Sequence, residues 1–276
     1  MNKSELTIDS KNNIKNIFNI SDMFEYKDLF YELVLKDVKM RHKQTILGIV
    51  WVIFQPLMAT IVFTVIFGVI IKMPSNNLPY PLFVFIGLNY WNLFSSGITS
   101  ASGSLTGNES LIKKVYFPRL IIPLASIATN FIDFLISTVF LLILCVVYKV
   151  IPNAYLLIYF PILTMLILVT VTGLGFLLSA VNVRYRDVRQ ILPFFIQILI
   201  FLTPVFYSTT LVSPERQWIL ALNPLTTVIE ITRSLIAGSV QINYLSLAIS
   251  VISALAMYIL GVYYFKKTER NFADLI

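Results

Sequence analysis

This 276-residue chain has one histidine, one cysteine and 14 carboxylates with which to bind metal or move protons. They are not arranged for it. His42 has no His-Glu-x-x-His neighbourhood, Cys145 has no partner for a Cys pair, and the acids form no cluster of metal-ligand spacing. No Gly-Lys dipeptide occurs, so the chain lacks a phosphate-binding loop and cannot hydrolyse ATP as such loops allow. The groups that do gather are of a different kind. Glu109-Ser110-Leu111-Ile112-Lys113-Lys114-Val115-Tyr116-Phe117-Pro118-Arg119 is a short basic island rich in apolar and aromatic side chains. Before it, Met73 to Asn108 carries no charge; after it, Leu120 to Val183 carries only Asp133 and Lys149. An island that short is a turn at a membrane surface, and its chemistry is that of contact with a soluble partner. Buried aromatics in such a contact carry much of its energy, which singles out Tyr116 and Phe117.

The elements around the island must be membrane spans. Hydrophobic residues are 57% of the chain and charged residues 13%, against roughly 25% charged in a soluble domain; the mean hydropathy is +0.81. Stretches of ~20 apolar residues cross a bilayer, and six are expected here: about 44–71, 79–102, 120–148, 155–181, 190–210 and 244–265. The apolar stretch 217–229 is too short to span and reads as an interfacial or re-entrant helix. Residues 1–21, Asn- and Lys-rich, read as a flexible tail, and 22–276 as one transmembrane domain. No early apolar core marks a cleavable signal. With the N-terminus inside, 17 of the 21 Lys and Arg fall on inner segments, as the positive-inside rule requires of two cytoplasmic termini. The charge of +7 therefore reports topology, not nucleic-acid binding.

A helix over 22–43 precedes the first span. Asp22 and Glu25 have capping spacing, and Met23, Tyr26, Phe30, Val34 and Val38 form an apolar stripe among basic residues. Such a helix lies in the membrane interface, either as an anchor or against a cytosolic partner. Gly173 and Gly175 fit close helix packing better than a phosphate cradle. Asp133 is the one acid well inside an apolar run, functional or held by Asn130 or a neighbouring helix. Glu230 and Arg233, three apart, are spaced to pair on one helix; the sharper reading makes them an outer gate, with Trp218 nearby. Trp51, Phe54, Phe63 and Phe67 run down the first span, and Tyr90, Trp91 and Phe94 sit in the second. Packing explains any one of them, but rings in a polar-dotted pathway also suit the C–H faces of sugars.

The stretch Lys36-Asp37-Val38-Lys39-Met40-Arg41-His42-Lys43-Gln44-Thr45-Ile46-Leu47-Gly48, leading to Trp51 and Gln55-Pro56-Leu57, resembles the start of the first span in polysaccharide ABC exporter permeases. So do Pro79-Tyr80-Pro81-Leu82-Phe83-Val84 with Gly87-Leu88, the island with Asn108 and Pro123-Leu124, Asn182-Val183-Arg184-Tyr185-Arg186-Asp187-Val188, and Thr268-Glu269-Arg270-Asn271-Phe272-Ala273-Asp274. The similarity runs in one order over about residues 25–276 and is to the O-antigen (Wzm) type, with teichoic-acid and capsule exporters as relatives. It implies an all-α membrane protein with six transmembrane helices, an N-terminal interface helix, a cytoplasmic coupling helix and short outer helices over about 211–238. It implies a homodimer in the bacterial cytoplasmic (inner) membrane with two separate ATPase subunits, exporting a polymer linked to undecaprenyl diphosphate. No cofactor would be bound by this chain; ATP and Mg would sit on the partner. Docking to the ATPase would fall to residues 22–40 and 108–118, with Glu109, Leu111, Ile112, Lys113, Lys114, Tyr116, Phe117, Phe30 and Arg41 as the coupling set. The resemblance puts the first and fifth spans along the pathway, where Gln55, Thr60, Thr64, Gln197 and Thr203 are polar. Trp51, Phe54, Gln55, Tyr90, Trp91, Gln197 and Thr203 are the channel candidates. Two other classes remain in view. An intramembrane glycosyl- or acyltransferase would need catalytic acids or histidines that are missing. A secondary flippase would need coupling-ion groups at mid-membrane, for which only Asp133 could serve.

Overall fold

The computed structural model describes residues 26–43, 48, 50–185, 187–240, 242–270 and 272. Among them there are helices and no strands. In chain order these are α1 (Lys27–Lys43), α2 (Val50–Phe63, continued by a π-helical stretch Thr64–Ile70), α3 (Tyr80–Gly107), α4 (Glu109–Lys114), α5 (Ile121–Val147), α6 (Leu156–Arg184), α7 (Val188–Leu202), α8 (Gln217–Ala221), α9 (Pro224–Ile236) and α10 (Tyr244–Glu269). The tail 1–21, Asp22, Met23 and Glu25 lie outside the described residues.

Among the described residues four helices are long and apolar enough to cross a membrane: Val50–Ile70, Ile121–Val147, Leu156–Arg184 and Tyr244–Glu269. The other two expected crossings differ for physical reasons. At 28 residues α3 is long enough, but Asn89, Asn92 and the serines and threonines from Ser95 to Ser104 make it too polar to qualify. With 15 residues α7 is short, about 22 Å at 1.5 Å per residue against a ~30 Å hydrocarbon core. It stops at Leu202 because Pro204 disfavours helical geometry at Thr203, whose backbone is extended there. The single short helix expected over 217–229 is two helices. Asn223 ends the first turn and caps the second, its side chain accepting from the Leu225 amide, and Pro224 opens α9.

Two cores hold the bundle together. The larger is built on α3, buried on every side from Leu82 to Tyr90, with α5, α6 and α9 packed around it. The smaller lies at the basic end, where Leu33 and Val34 of α1 meet Ile112, Phe117, Ile121, Phe176, Phe265 and Phe272. Thus the apolar stripe of α1 (Tyr26, Phe30, Val34, Val38) packs on this chain's own helices. The glycine reading is correct in kind: α6 and α10 touch at Gly173 and Gly261, where a Cβ on Gly261 would collide with the Gly173 carbonyl, and one on Gly173 would lie 2.6 Å from the Tyr258 amide.

Candidate functional site

The bundle is not closed. A cleft of about 740 Å³ opens between α2, α3, α5 and α7. Trp51 and Gln55 enter it from α2, Trp91 and Asn92 from α3, Ser137 from α5 and Gln197 from α7. Helical periodicity puts Ser95, Ser96, Thr99 and Ser100 on the same open side of α3. The lining is aromatic and amide- or hydroxyl-bearing, with charge only at one end. Two buried polar atoms in it, Asn89 Oδ1 and Ser137 Oγ, have no hydrogen-bond partner among the described residues, so they remain as acceptor and donor for whatever fills the space. Among the described residues no three His, Cys, Asp or Glu side chains cluster as metal ligands would.

The charged end is built from α1. Arg41, in its last turn, reaches Asp133 Oδ2 at 2.9 Å, Asn130 Oδ1 at 3.1 Å and Ser100 Oγ at 3.2 Å. One guanidinium therefore ties α1 to both α3 and α5. Asp133 has the neighbouring-helix partner expected for it, and Arg41 stands inside the cleft as well as on the helix expected to dock.

Three channel candidates, Tyr90, Thr203 and Phe54, do not line the cleft, the first two because they are buried. Tyr90 is 0% exposed, its ring against Phe134 and Phe160 and its hydroxyl accepting from Thr232 at 3.2 Å. Thr203 is buried; it donates to the Leu199 carbonyl and accepts from Asn223. Both sit where the bundle is tightest, because the face of a helix that an apolar sequence buries cannot be read from periodicity. Phe54 is exposed on α2 beside Trp51, 5.6 Å between ring centroids. Of the polar α2 residues, Thr60 is buried and donates to the Pro56 carbonyl.

In the basic island the helix is α4 alone and stops at Lys114, after which Val115 is extended. Lys113 and Glu109 pair along it at 2.6 Å. Tyr116 is 92% exposed, whereas Phe117 is 4% exposed within the smaller core. Phe117 is thus a core residue, and Tyr116 alone is offered outward. Leu111 is half-buried and Lys114 exposed on α4, Ile112 is buried, and Phe30 is half-buried on α1. Arg119 fastens the island to the end of α10: its amide donates to Glu269 Oε1 at 3.1 Å and its side chain donates to the Glu269 carbonyl.

At the opposite end Arg233 does not pair with Glu230. Its buried guanidinium donates to the carbonyls of Phe83 (2.9 and 3.0 Å), Pro204 (2.7 Å), Val205 (2.6 Å) and Tyr207 (3.5 Å), and it stacks 3.4 Å from the Phe83 ring centre. Gly87 leaves the room: a Cβ there would lie 2.8 Å from the guanidinium and from the Val205 carbonyl. Trp218 is half-exposed on α8 and Glu230 half-buried on α9.

These features agree with what the chain is similar to. Residues 28–237 match the family described as ABC-2 type transporter. The chain belongs to that family. It is 28% identical over 263 residues to the O-antigen export system permease protein RfbA of Klebsiella pneumoniae, covering 95% of this chain and 99% of the relative. A Myxococcus xanthus protein of the same name is 28% identical over 211 residues, 76% and 80% of the two chains. The polysialic acid transport protein KpsM of Escherichia coli is 26% identical over 252 residues, 85% and 94%. As an ABC-2 type transporter the chain is a membrane transport subunit. What sequence reasoning missed in it is the α3 face from Asn89 to Ser104. Its signal was a long uncharged run with an amide or hydroxyl at every turn, costly in a membrane unless turned inward.

Proposed function

We propose that this chain is the membrane subunit of an ABC exporter that carries a lipid-linked polysaccharide outward across the bacterial cytoplasmic membrane. In this reading the helix bundle crosses six times with both termini cytoplasmic, two copies form the pathway, and a separate ATPase subunit supplies the energy, binding its own ATP and Mg. The observation that carries it is the cleft: two tryptophans and a row of neutral amides and hydroxyls, suited to successive sugar rings sliding through. A polymer cannot be enclosed in a pocket of ~300–1,000 Å³, so an open, weakly gripping groove is the geometry it needs. The named roles of the relatives support a polysaccharide, and O antigen ahead of capsule or teichoic acid.

The test is genetic and biochemical. Cells lacking the chain should lose surface polysaccharide and retain lipid-linked polymer inside, and restoration should require both this chain and an ATPase subunit. Unchanged surface polymer in such cells would refute the reading.

A further inference from the structure

The cleft lining holds two charged side chains, Arg41 and Asp133, bonded to each other at 2.9 Å at one end. Every other polar side chain in it is an amide or a hydroxyl. Asn89, Asn92 and Ser96 share one face of α3, at spacings of three and four residues; Gln55, Gln197 and Ser137 join them from α2, α7 and α5. Asn89 is the most discriminating of these. Its amide nitrogen donates to Thr138 Oγ1 at 3.0 Å, which fixes the carboxamide, while its Oδ1 is buried and has no donor among the described residues. A carbonyl oxygen held in this way accepts from an O–H group. It repels a carboxylate or phosphate oxygen, which when ionised is an acceptor only. Ser137, next to Thr138 on α5, also has a buried hydroxyl with no partner among the described residues, and a hydroxyl can give or accept. Polar groups buried without partners cost stability until something fills them.

We infer that the cleft selects uncharged sugar units, with Asn89 and Ser137 reading their hydroxyls, and discriminates against acidic polymers. This rests on the export reading above and names the class of polymer within it. A chain of uronic or sialic acids, or one joined by phosphodiesters, carries negative charge along its length. In the cleft each such charge would lose its hydration, and among the described lining residues the one cation is already held by Asp133. A second copy closing the groove brings the same neutral rows and no compensating charge. A neutral pyranose exchanges water for amides and hydroxyls at its O–H groups, and its C–H face can lie on Trp51 or Trp91. The names of the relatives leave this choice open, because one is a polysialic acid transport protein and others are O-antigen export permeases. The chemistry of the lining favours the neutral class.

The purified full-length chain in detergent is titrated with a neutral hexose oligomer, a sialic acid oligomer and a glycerol phosphate oligomer of equal length. Tryptophan emission follows binding, since Trp51 and Trp91 line the cleft. The neutral oligomer should bind saturably, and both acidic ones about tenfold more weakly, the discrimination that an unpaired buried acceptor gives. Ser137→Ala removes a hydroxyl that bonds to nothing among the described residues. It should leave the melting temperature unchanged and weaken the neutral oligomer about fivefold, the loss of one hydrogen bond. Ser96 is exposed, so Ser96→Lys sets an ammonium in the cleft without disturbing the core, and should tighten the acidic oligomers about tenfold. Acidic oligomers that bind the wild type as well as the neutral one, or better, overturn the inference. So does the absence of saturable binding by any of the three. Ser137→Ala without effect overturns the reading of hydroxyls, and Ser96→Lys without effect overturns charge as the basis of selection. Failure here is distinct from failure of the export reading. Cells that lose surface polymer without the chain, together with equal binding of neutral and acidic oligomers, would keep export and overturn the selectivity; unchanged surface polymer with neutral-selective binding would do the reverse.

Discussion

At the scale of single residues, Arg233 shows how an apolar protein uses a charge to hold its backbone. The chain between Thr203 and Ser208 cannot be helical, because Pro204 interrupts it, so its carbonyls have no intrahelical donors. One guanidinium from α9 satisfies four carbonyls from two segments far apart in sequence. Removing it would strand those acceptors in the core. Arg233→Ala should cost about 3 kcal/mol or more, as loss of one partner from a buried charged network does. Arg233→Lys should recover little, since an ammonium cannot fork across four acceptors. Gly87→Ala should destabilise through the same cage, by about 1–3 kcal/mol. Thermal unfolding of the purified variants measures all three, and a melting temperature unmoved by Arg233→Ala would show that the cage does not hold this end together. The sequence offered Arg233 as a charge in an apolar stretch and suggested Glu230 as its mate. Nothing local could reveal carbonyls 150 residues away in the chain. The same limit applies to Arg41 and Asp133, each conspicuous alone but joined across 92 positions.

At the scale of elements, the basic island separates two aromatic neighbours into two jobs. In an extended segment adjacent side chains point to opposite sides, and Val115 after α4 is extended. Tyr116 therefore faces out and Phe117 faces the core of α1, α5 and α10. Composition marked both as anchors; only the backbone after Lys114 assigns the sides. Phe117→Ala should lower stability by about 3–5 kcal/mol, the cost of truncating a buried ring. Tyr116→Ala should leave melting unchanged and reduce ATP hydrolysis stimulated by assembly with the partner subunit. Melting curves and ATPase assays on the two variants decide it; if Tyr116→Ala destabilises as much as Phe117→Ala, the division of roles is wrong. Elements were legible where charge and length agreed, as in α5, α6 and α10. They were not where polarity was turned inward, as in α3, or where one proline cut an apolar run, as in α7. Packing glycines were readable because Gly173 and Gly175 stand in a span with no turn to make.

At the scale of the whole molecule, the placement of buried surface is lopsided. Of α2 only Pro56 and Thr60 are buried, and of α7 no residue is. Yet these helices supply Trp51, Gln55 and Gln197 to the cleft, so the groove has walls on one side and lies open beyond them. Lipid could cover the apolar side chains Met58, Ile61, Phe194 and Phe201, which are exposed. It could not satisfy a line of amides and hydroxyls facing out of the same opening. A second copy could, since a twofold axis along the groove would set each cleft against its equal and close one pathway from two halves. Cysteines at Phe54 and Ile198, with buried Cys145 changed to Ser, should then crosslink two copies in membranes, giving a dimer band on non-reducing gels. Cysteines at Leu157 and Leu245, exposed on α6 and α10, should give none, because those faces would meet lipid. Crosslinking at 157 and 245 but not at 54 and 198 would place the pathway elsewhere and leave the cleft as a lateral groove within one copy.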